Sequence, residues 1–245
     1  MALGRTQPDE ITLDLDNYDA QVDGSQQLAL WNGHFNATVY YPLVATVAGF
    51  GFAVGALLRA GNAWSGAEAV RLLEPMIVRL KEALPGTRIR VRADSGFPEG
   101  PHILRSGPAG MDPERYDMLE RHGVECAIRL RMNARLRGLV DEVLGERVAR
   151  MMARYCGRAW AIHGEARHFV KSWGGGRRVI LKVPYDPARG EVERYVFVTN
   201  SRRSKTRVWR FYPKAGRCAA SSRTIWMPTG SRSPRSRRTR RGCIS

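Results

Sequence analysis

The run Ile11-Thr12-Leu13-Asp14-Leu15-Asp16 decides the fold of this 245-residue chain. Its apolar and polar residues alternate, which is the period of a half-buried β-strand, so Asp14 and Asp16 lie on one face of that strand. Two carboxylates on one face repel each other unless a cation lies near them. The run therefore predicts a core strand whose acidic face needs a cationic neighbour.

Further strands and a helix follow on the C-terminal side of this run. Residues 37–47 and 50–58 predict two strands around an Ala48-Gly49 turn, which would continue an antiparallel sheet from the first strand. Apolar residues at helical spacing then predict a helix that begins at Asn62 or Ser65, with Glu68 completing a capping box after Ser65. This helix ends before Pro85-Gly86, and a kink is possible where Pro75 interrupts it.

A short strand over residues 87–93 follows this helix and ends directly before Asp94-Ser95-Gly96-Phe97. In α/β folds the chemistry usually lies at the carboxyl ends of strands. Asp16 and Asp94 from two strands of one sheet could converge on Mg²⁺, which prefers one or two carboxylates plus substrate phosphate. A strand-end aspartate is, however, more often a turn former or helix cap, so the spacing alone leaves both interpretations open.

The rest of the chain changes from α/β to β-rich and then to a basic tail. Residues 114–122 and 136–152 predict helices on either side of a strand over residues 124–130, and residues 160–170, 178–184 and 192–199 predict three further strands. We therefore divide the chain into an α/β core over residues 1–157, a β-rich insertion over residues 158–200 and a low-complexity tail over residues 201–245 that we expect to be disordered.

The net charge of +17 is concentrated in this tail. Residues 201–245 contain 14 Lys and Arg residues and no Asp or Glu, which leaves the first 200 residues near neutrality, at +3. Clustered arginines neutralise DNA phosphates without reading sequence. The predicted DNA-binding residues are the arginines of the last cluster, Arg232, Arg235, Arg237, Arg238, Arg240 and Arg241. Trp173, beside a triple glycine, is a further candidate for stacking on DNA.

The cysteines and the hydropathy pattern indicate the cellular compartment. Four widely separated cysteines without a C-x-x-C pair favour a reducing compartment over a zinc or redox site. No stretch reaches the roughly 18 apolar residues of a membrane span. We expect a soluble, cytoplasmic and nucleoid-associated protein.

Several short segments together resemble the catalytic core of bacterial insertion-sequence transposases of the DDE type. Their order and spacing match over residues 11–200, and no single segment would suffice alone. The segments are Leu13-Asp14-Leu15-Asp16, Val22-Asp23-Gly24-Ser25-Gln26-Gln27, Trp31-Asn32-Gly33-His34, Tyr41-Pro42-Leu43, Leu58-Arg59-Ala60-Gly61-Asn62, Arg92-Ala93-Asp94-Ser95-Gly96-Phe97 and Val196-Phe197-Val198-Thr199-Asn200.

This resemblance implies an RNase H-like α/β fold, a mixed sheet flanked by helices, in which three carboxylates bind two Mg²⁺ ions, with Mn²⁺ as a substitute. It also implies DNA as partner, strand cleavage and joining as the reaction, and a homodimer on DNA. Asp16 matches the first carboxylate, with Asp14 as the alternative occupant, and Asp94 matches the second. The third should be a glutamate in a Tyr-x-x-Arg-x-x-x-Glu frame that begins at Tyr212.

The third carboxylate of the family is absent from this frame, because Ala215 stands at the arginine position and Ala219 at the glutamate position. Residues 221–229 can be encoded by bases that, read one position earlier, give L-I-K-D-Y-L-D-A-Y, which has the pattern of a helix. We therefore expect a frameshift near codon 213, and also a missing N-terminal DNA-binding region. The alternatives are a catalytically inactive remnant that binds DNA through its tail, and a weak nuclease that recruits Glu191 or Glu193.

Overall fold

The computed structural model of the chain describes residues 7–64, 66, 68–95, 97, 113–155, 157–170 and 173–212. These residues form twelve strands and four α-helices. In chain order they are β1 (Glu10–Asn17), β2 (Ala20–Gln21), β3 (Leu30–Asn32), β4 (Ala37–Tyr40), β5 (Leu43–Val47), β6 (Ala53–Leu57), α1 (Ala69–Ala83), β7 (Arg88–Ala93), α2 (Pro113–Arg121), β8 (Glu125–Leu130), α3 (Ala134–Arg154), β9 (Trp160–Phe169), β10 (Gly176–Asp186), β11 (Glu191–Val192), β12 (Tyr195–Thr199) and α4 (Lys205–Phe211).

The predicted first strand lies in the middle of a mixed sheet. β1 pairs antiparallel with β5 and parallel with β7, while β5 pairs antiparallel with β6 and β7 pairs parallel with β8. The resulting order β6-β5-β1-β7-β8, with helices packed against it, confirms the RNase H-like α/β fold that the resemblance implies. The antiparallel start of the sheet is also confirmed, because β1, β5 and β6 are neighbours in this order.

The β-rich segment continues the same sheet. β12 pairs antiparallel with β8, β10 pairs with β12, and both β9 and β11 pair with β10, which extends the sheet to nine strands. Main-chain hydrogen bonds therefore run without interruption from the edge strand β6 to the β-rich segment. The division into core and insertion at residue 158 stays a prediction.

Helices α1 and α2 cover one face of the central strands. Leu73 and Ile77 of α1 and Met118 of α2 are buried in the cluster that also contains Leu13 and Val91 from the strands. Such burial removes apolar surface from water and is the main stabilising contribution of these helices. The alternation of β1 therefore has the predicted consequence, with leucines on the core face and aspartates on the other.

The start of α1 differs from the prediction. The helix begins at Ala69, its N-cap is Glu68 at a positive φ of 57°, and no side chain caps it. Asn62 lies outside the helix, and Ser65 lies outside the described residues. Glu68 itself is the N-cap and turns the chain into the helix through its left-handed conformation. The prediction that Glu68 completes a capping box is therefore wrong. Pro75 lies inside the helix as predicted.

Helix α4 packs on the opposite face of the sheet. Val208, Phe211 and Tyr212 contact Ala127 of β8 and Ile180 of β10. Residues 201–212, which the sequence predicts to be part of the disordered basic tail, therefore include a helix. The expected tail residues 213–245 lie outside the described part of the chain.

Two smaller features complete the fold. Strands β2, β4 and β3 form a separate three-stranded sheet, because Tyr41-Pro42 separates β4 from β5 within the single predicted strand. Among the described helices, none has the length and apolar composition needed to cross a bilayer.

Candidate active site

The acidic face of β1 lies beside the polar face of β7. The parallel register pairs Asp14 with Arg92 and Leu15 with Ala93, so Asp16 and Asp94 are the next residues along the two strands. Because side chains alternate along a strand, the aspartates and Arg92 share the face opposite the apolar core. This is the face on which α4 packs.

Asp14 is engaged by Arg92. Nε and Nη2 of the guanidinium donate to the two carboxylate oxygens at 2.5 and 2.6 Å, and both residues are buried, at 3% and 2% exposure. A bidentate, buried pair of this kind is the strongest form of the charge-assisted hydrogen bond. Arg92 is thus the cationic neighbour that the sequence predicts for the acidic face, and its bidentate contact engages both carboxylate oxygens of Asp14.

Asp16 lies in a different environment. It is partly buried, and one carboxylate oxygen accepts a hydrogen bond from the Asn17 N–H at 2.9 Å. Burial, followed by the negative charge of Asp94 and then that of Asp14, raises the pKa of Asp16 from 3.8 to about 6, although the Asn17 hydrogen bond lowers it. The two carboxylates that the sequence predicts as metal ligands therefore interact electrostatically. A divalent cation would relieve this repulsion, so the donor set fits the metal that the fold family implies.

Asp94 lies at the solvent-exposed end of β7, where the chain turns away from the sheet. Its carbonyl accepts from the Phe97 N–H at 3.4 Å, and the buried Arg115 of α2 donates to the Phe97 carbonyl. Arg115 also lies over the Trp64 ring, with its Cζ atom 4.5 Å from the ring centre. These contacts attach the segment after Asp94 to α2, so the carboxylate position does not depend on β7 alone.

Helix α4 closes the site from above the sheet. Nη1 of Arg92 donates to the Phe211 carbonyl at 2.6 Å, and Phe211 also lies under the guanidinium of Arg90 at 4.3 Å. Burial raises the pKa of the next residue, Tyr212, above its usual range, and Arg129, Asp94, Arg92 and Asp16 also act on its phenol. The residue that begins the family frame therefore lies within electrostatic reach of both aspartates.

The third carboxylate is not found in the described part of the chain, where no group of three potential metal-ligating side chains occurs. Position 219 lies outside the described residues. Glu191 lies on β11, four strands from β7 and thus on the order of 19 Å away. Glu193 accepts hydrogen bonds from Tyr195 and Arg189. The structure thus brings neither of these acids together with Asp16 and Asp94 in a three-residue group.

The predicted DNA contacts are Trp173 and the arginines of the last basic cluster. Trp173 is only 6% exposed and packs against Tyr116 and His168, so the expectation that it stacks on DNA is corrected. The predicted DNA-binding arginines, Arg232, Arg235, Arg237, Arg238, Arg240 and Arg241, lie outside the described residues and stay a prediction.

The sequence alone predicts no role for Arg92, Arg115 or Arg129. The position of Arg92 could have been predicted, because alternation along residues 88–93 puts Arg92 on the same face as Asp94. That of Arg115 could not, because its contact with Phe97 depends on the tertiary placement of α2.

Comparisons with known proteins agree with this geometry. The sequence matches the family model described as Transposase DDE domain group 1 over residues 2–222. Comparison with curated proteins gives no significant match. The family generally uses divalent metal ions and acts on DNA, in keeping with a pair of interacting carboxylates at the end of two neighbouring strands. Because the match extends over most of the chain, this protein belongs to the DDE transposase family.

Proposed function

We propose that Asp16 and Asp94 are the first two metal-binding carboxylates of a transposase that cuts and joins DNA at the ends of an insertion sequence. The observation that carries this proposal is the parallel register of β1 and β7, which places Asp16 and Asp94 side by side on the same face of the sheet. Burial and the adjacent charge of Asp94 raise the pKa of Asp16, in keeping with this arrangement. Strongly perturbed carboxylates at a strand end are typical of functional sites. Mg²⁺ held there would act as a Lewis acid toward a phosphodiester.

The chain's own residues have separate tasks in this proposal. Asp16 must lose its proton before it can hold a cation, and the Asn17 N–H fixes one of its oxygens. Asp94 is exposed, which leaves the open side of the pair accessible to DNA. Arg92 neutralises Asp14 and binds the end of α4, so it orients the site without occupying it. Homodimer formation on DNA is part of the same proposal.

A second candidate function is a catalytically inactive transposase remnant that binds DNA nonspecifically. The observation that favours it is Ala219 at the position of the third carboxylate. We propose that a change of reading frame near codon 213 removed this glutamate. The nucleotide sequence tests this directly: an uninterrupted alternative frame that encodes the glutamate supports it, whereas stop codons in that frame overturn it.

Metal binding and DNA cleavage distinguish the two candidates. Mn²⁺ binding is measured by electron paramagnetic resonance. Strand cleavage is measured on a supercoiled plasmid that carries the DNA flanking this gene. Asp94→Asn should lose Mn²⁺ affinity, whereas Asp9→Asn, which changes an exposed aspartate before β1, should not.

Three outcomes are informative. Cleavage by the unaltered chain that Asp94→Asn abolishes supports the transposase. Mn²⁺ binding that Asp94→Asn abolishes, without cleavage by either protein, supports the inactive remnant. Equal Mn²⁺ affinity in all three proteins overturns the assignment of Asp94 as a ligand.

A further inference from the structure

We propose that Arg129 binds a phosphodiester group of the DNA strand that lies beside Asp16 and Asp94; this inference rests on the proposed function. Arg129 is on β8, the parallel neighbour of β7. Ala93 pairs with Ile128, so Asp94 and Arg129 are the next residues on their strands. Asp16, Asp94 and Arg129 therefore form one row across three adjacent strands.

The side chain of Arg129 lies on the same face of the sheet as the two aspartates. Its register partner on β12 is Phe197, whose ring is 4.2 Å from that of Tyr212 and 5.3 Å from that of Trp209 in α4. The Arg129 guanidinium lies over the Tyr195 ring, with its Cζ atom 4.6 Å from the ring centre. Arg129 also acts electrostatically on the Tyr212 phenol, together with Asp94.

Arg129 differs from the other arginines on this face in its partners. Arg92 is paired with Asp14, and both Arg90 and Arg203 are paired with Glu10. In the described part of the chain, Arg129 makes no ion pair, and it is half-buried. Its positive charge is thus not neutralised by a carboxylate contact within these residues.

The contact with Tyr195 suits a phosphate-binding role. An arginine that lies flat over an aromatic ring keeps its in-plane N–H donors available, and their planar arrangement matches two oxygens of a phosphate. The ring also restricts the guanidinium, so less conformational entropy is lost when it binds. A phosphodiester placed beside Asp94 would then contact a fixed cation on one side and a metal held by the carboxylates on the other.

The first test measures binding of a short, dye-labelled single-stranded DNA by fluorescence anisotropy, without divalent metal and at several salt concentrations. The full chain is used throughout, so the basic tail contributes equally to every protein. Arg129→Met should weaken binding about tenfold, since a hydrogen-bonded charge is lost. The slope of log affinity against log salt should flatten by about 0.7, the value for one phosphate contact on a single strand.

Arg79→Met is the matched control, because Arg79 is exposed on α1, which covers the other face of the sheet. Arg79→Met removes the same charge as Arg129→Met, but it should change the DNA affinity and the salt slope much less. Arg129→Lys keeps the charge but loses the planar pair of donors, so it should restore the salt slope and only part of the affinity. Equal effects of Arg129→Met and Arg79→Met would overturn the proposal.

The second test separates DNA bound at the site from DNA bound by the tail. Mn²⁺ held by Asp16 and Asp94 speeds the relaxation of nearby ³¹P nuclei of the oligonucleotide, and tail-bound DNA does not contribute. Arg129→Met should lower this enhancement several-fold while Mn²⁺ affinity stays the same. An unchanged enhancement contradicts the role of Arg129. Failure of the unaltered chain to bind Mn²⁺ contradicts the proposed function instead, and the anisotropy comparison then decides on Arg129.

Discussion

Two aspartates on one face of β1 have opposite electrostatic environments. Asp14 is fully buried and paired with Arg92, whereas Asp16 faces Asp94 and its pKa is raised to about 6. The sequence predicts the shared face from simple alternation. It does not predict which aspartate is paired, because the partner lies 78 positions along the chain and is chosen by the parallel register of β1 and β7.

Asp16→Asn should stabilise the fold at neutral pH in metal-free buffer. The folded chain keeps the Asp16 proton up to about pH 6, whereas the unfolded chain releases it near 3.8, so stability falls as pH rises between these values. We expect a gain of about 1–2 kcal/mol at pH 7, less than the full shift implies because the side chain is partly solvated. Urea denaturation should show the gain at pH 7 and its loss near pH 4. A gain that persists at pH 4 would contradict this origin.

Arg92→Met should lower the free energy of unfolding by about 3–5 kcal/mol, because it leaves the buried Asp14 carboxylate without its cation. Asp14→Leu combined with Arg92→Met should recover much of this loss, since no buried charge then remains. Chemical denaturation of the single and double variants measures the difference. Arg71→Met is the control, because its pair with Glu68 is exposed and should contribute less than about 1 kcal/mol. A double variant as unstable as the single one would contradict the explanation.

At the scale of elements, the sequence pattern predicts the helices α1, α2 and α3 and most strands of the large sheet, including the five-residue strands β5, β6 and β12. It does not predict the short strands β2 and β3 or helix α4. The helices α1, α2 and α3 and the strands β1, β7, β8 and β9 follow directly from apolar periodicity. The capping-box prediction at Ser65 failed because the entry into α1 is set by the left-handed Glu68.

Helix α4 has only seven residues, and tertiary contacts hold it. Such a helix is marginal by itself, so its sequence carries little local signal. The contacts around Tyr212 are therefore the part of the candidate site that could not be predicted from the sequence.

Phe211→Ala should detach α4 from the sheet. The half-buried Phe211 ring packs against Arg90 and Arg92, and the Phe211 carbonyl accepts a hydrogen bond from Arg92. Removal of the ring takes away the first contact and leaves this carbonyl less well fixed. We expect a loss of about 2–3 kcal/mol in unfolding free energy. Amide hydrogen exchange should accelerate in α4 and stay unchanged in α1. Arg207→Ala, on the exposed side of α4, should have neither effect. Unchanged exchange in α4 would show that other contacts hold the helix.

At the scale of the whole molecule, charge and apolar surface are unevenly distributed. The first 200 residues are almost neutral, and the excess of positive charge follows residue 200. Within the described chain, the most exposed of the large apolar side chains lie on the β5–β6 hairpin, where Phe50 and Phe52 are 73% and 68% exposed and their rings are stacked at 6.3 Å. This hairpin is at the end of the nine-stranded sheet, away from the β-rich segment.

The edge strand β6 should make the chain self-associate. Within the described residues β6 pairs with β5 alone, and the sequence carries no charged residue from Pro42 to Leu58. The free main-chain groups of an edge strand can pair with another chain, and most exposed edge strands carry a lysine or proline that prevents this. Strand β6 carries neither. Phe50→Lys combined with Phe52→Lys should therefore shift the sedimentation profile toward the monomer at concentrations where the unaltered chain associates. Val143→Lys, which adds a charge on α3, is the control and should leave association unchanged. Phe50 and Phe52 lie directly before β6. If the double variant associates as strongly as the control, the exposed end of this hairpin does not hold the chains together, and the prediction is contradicted.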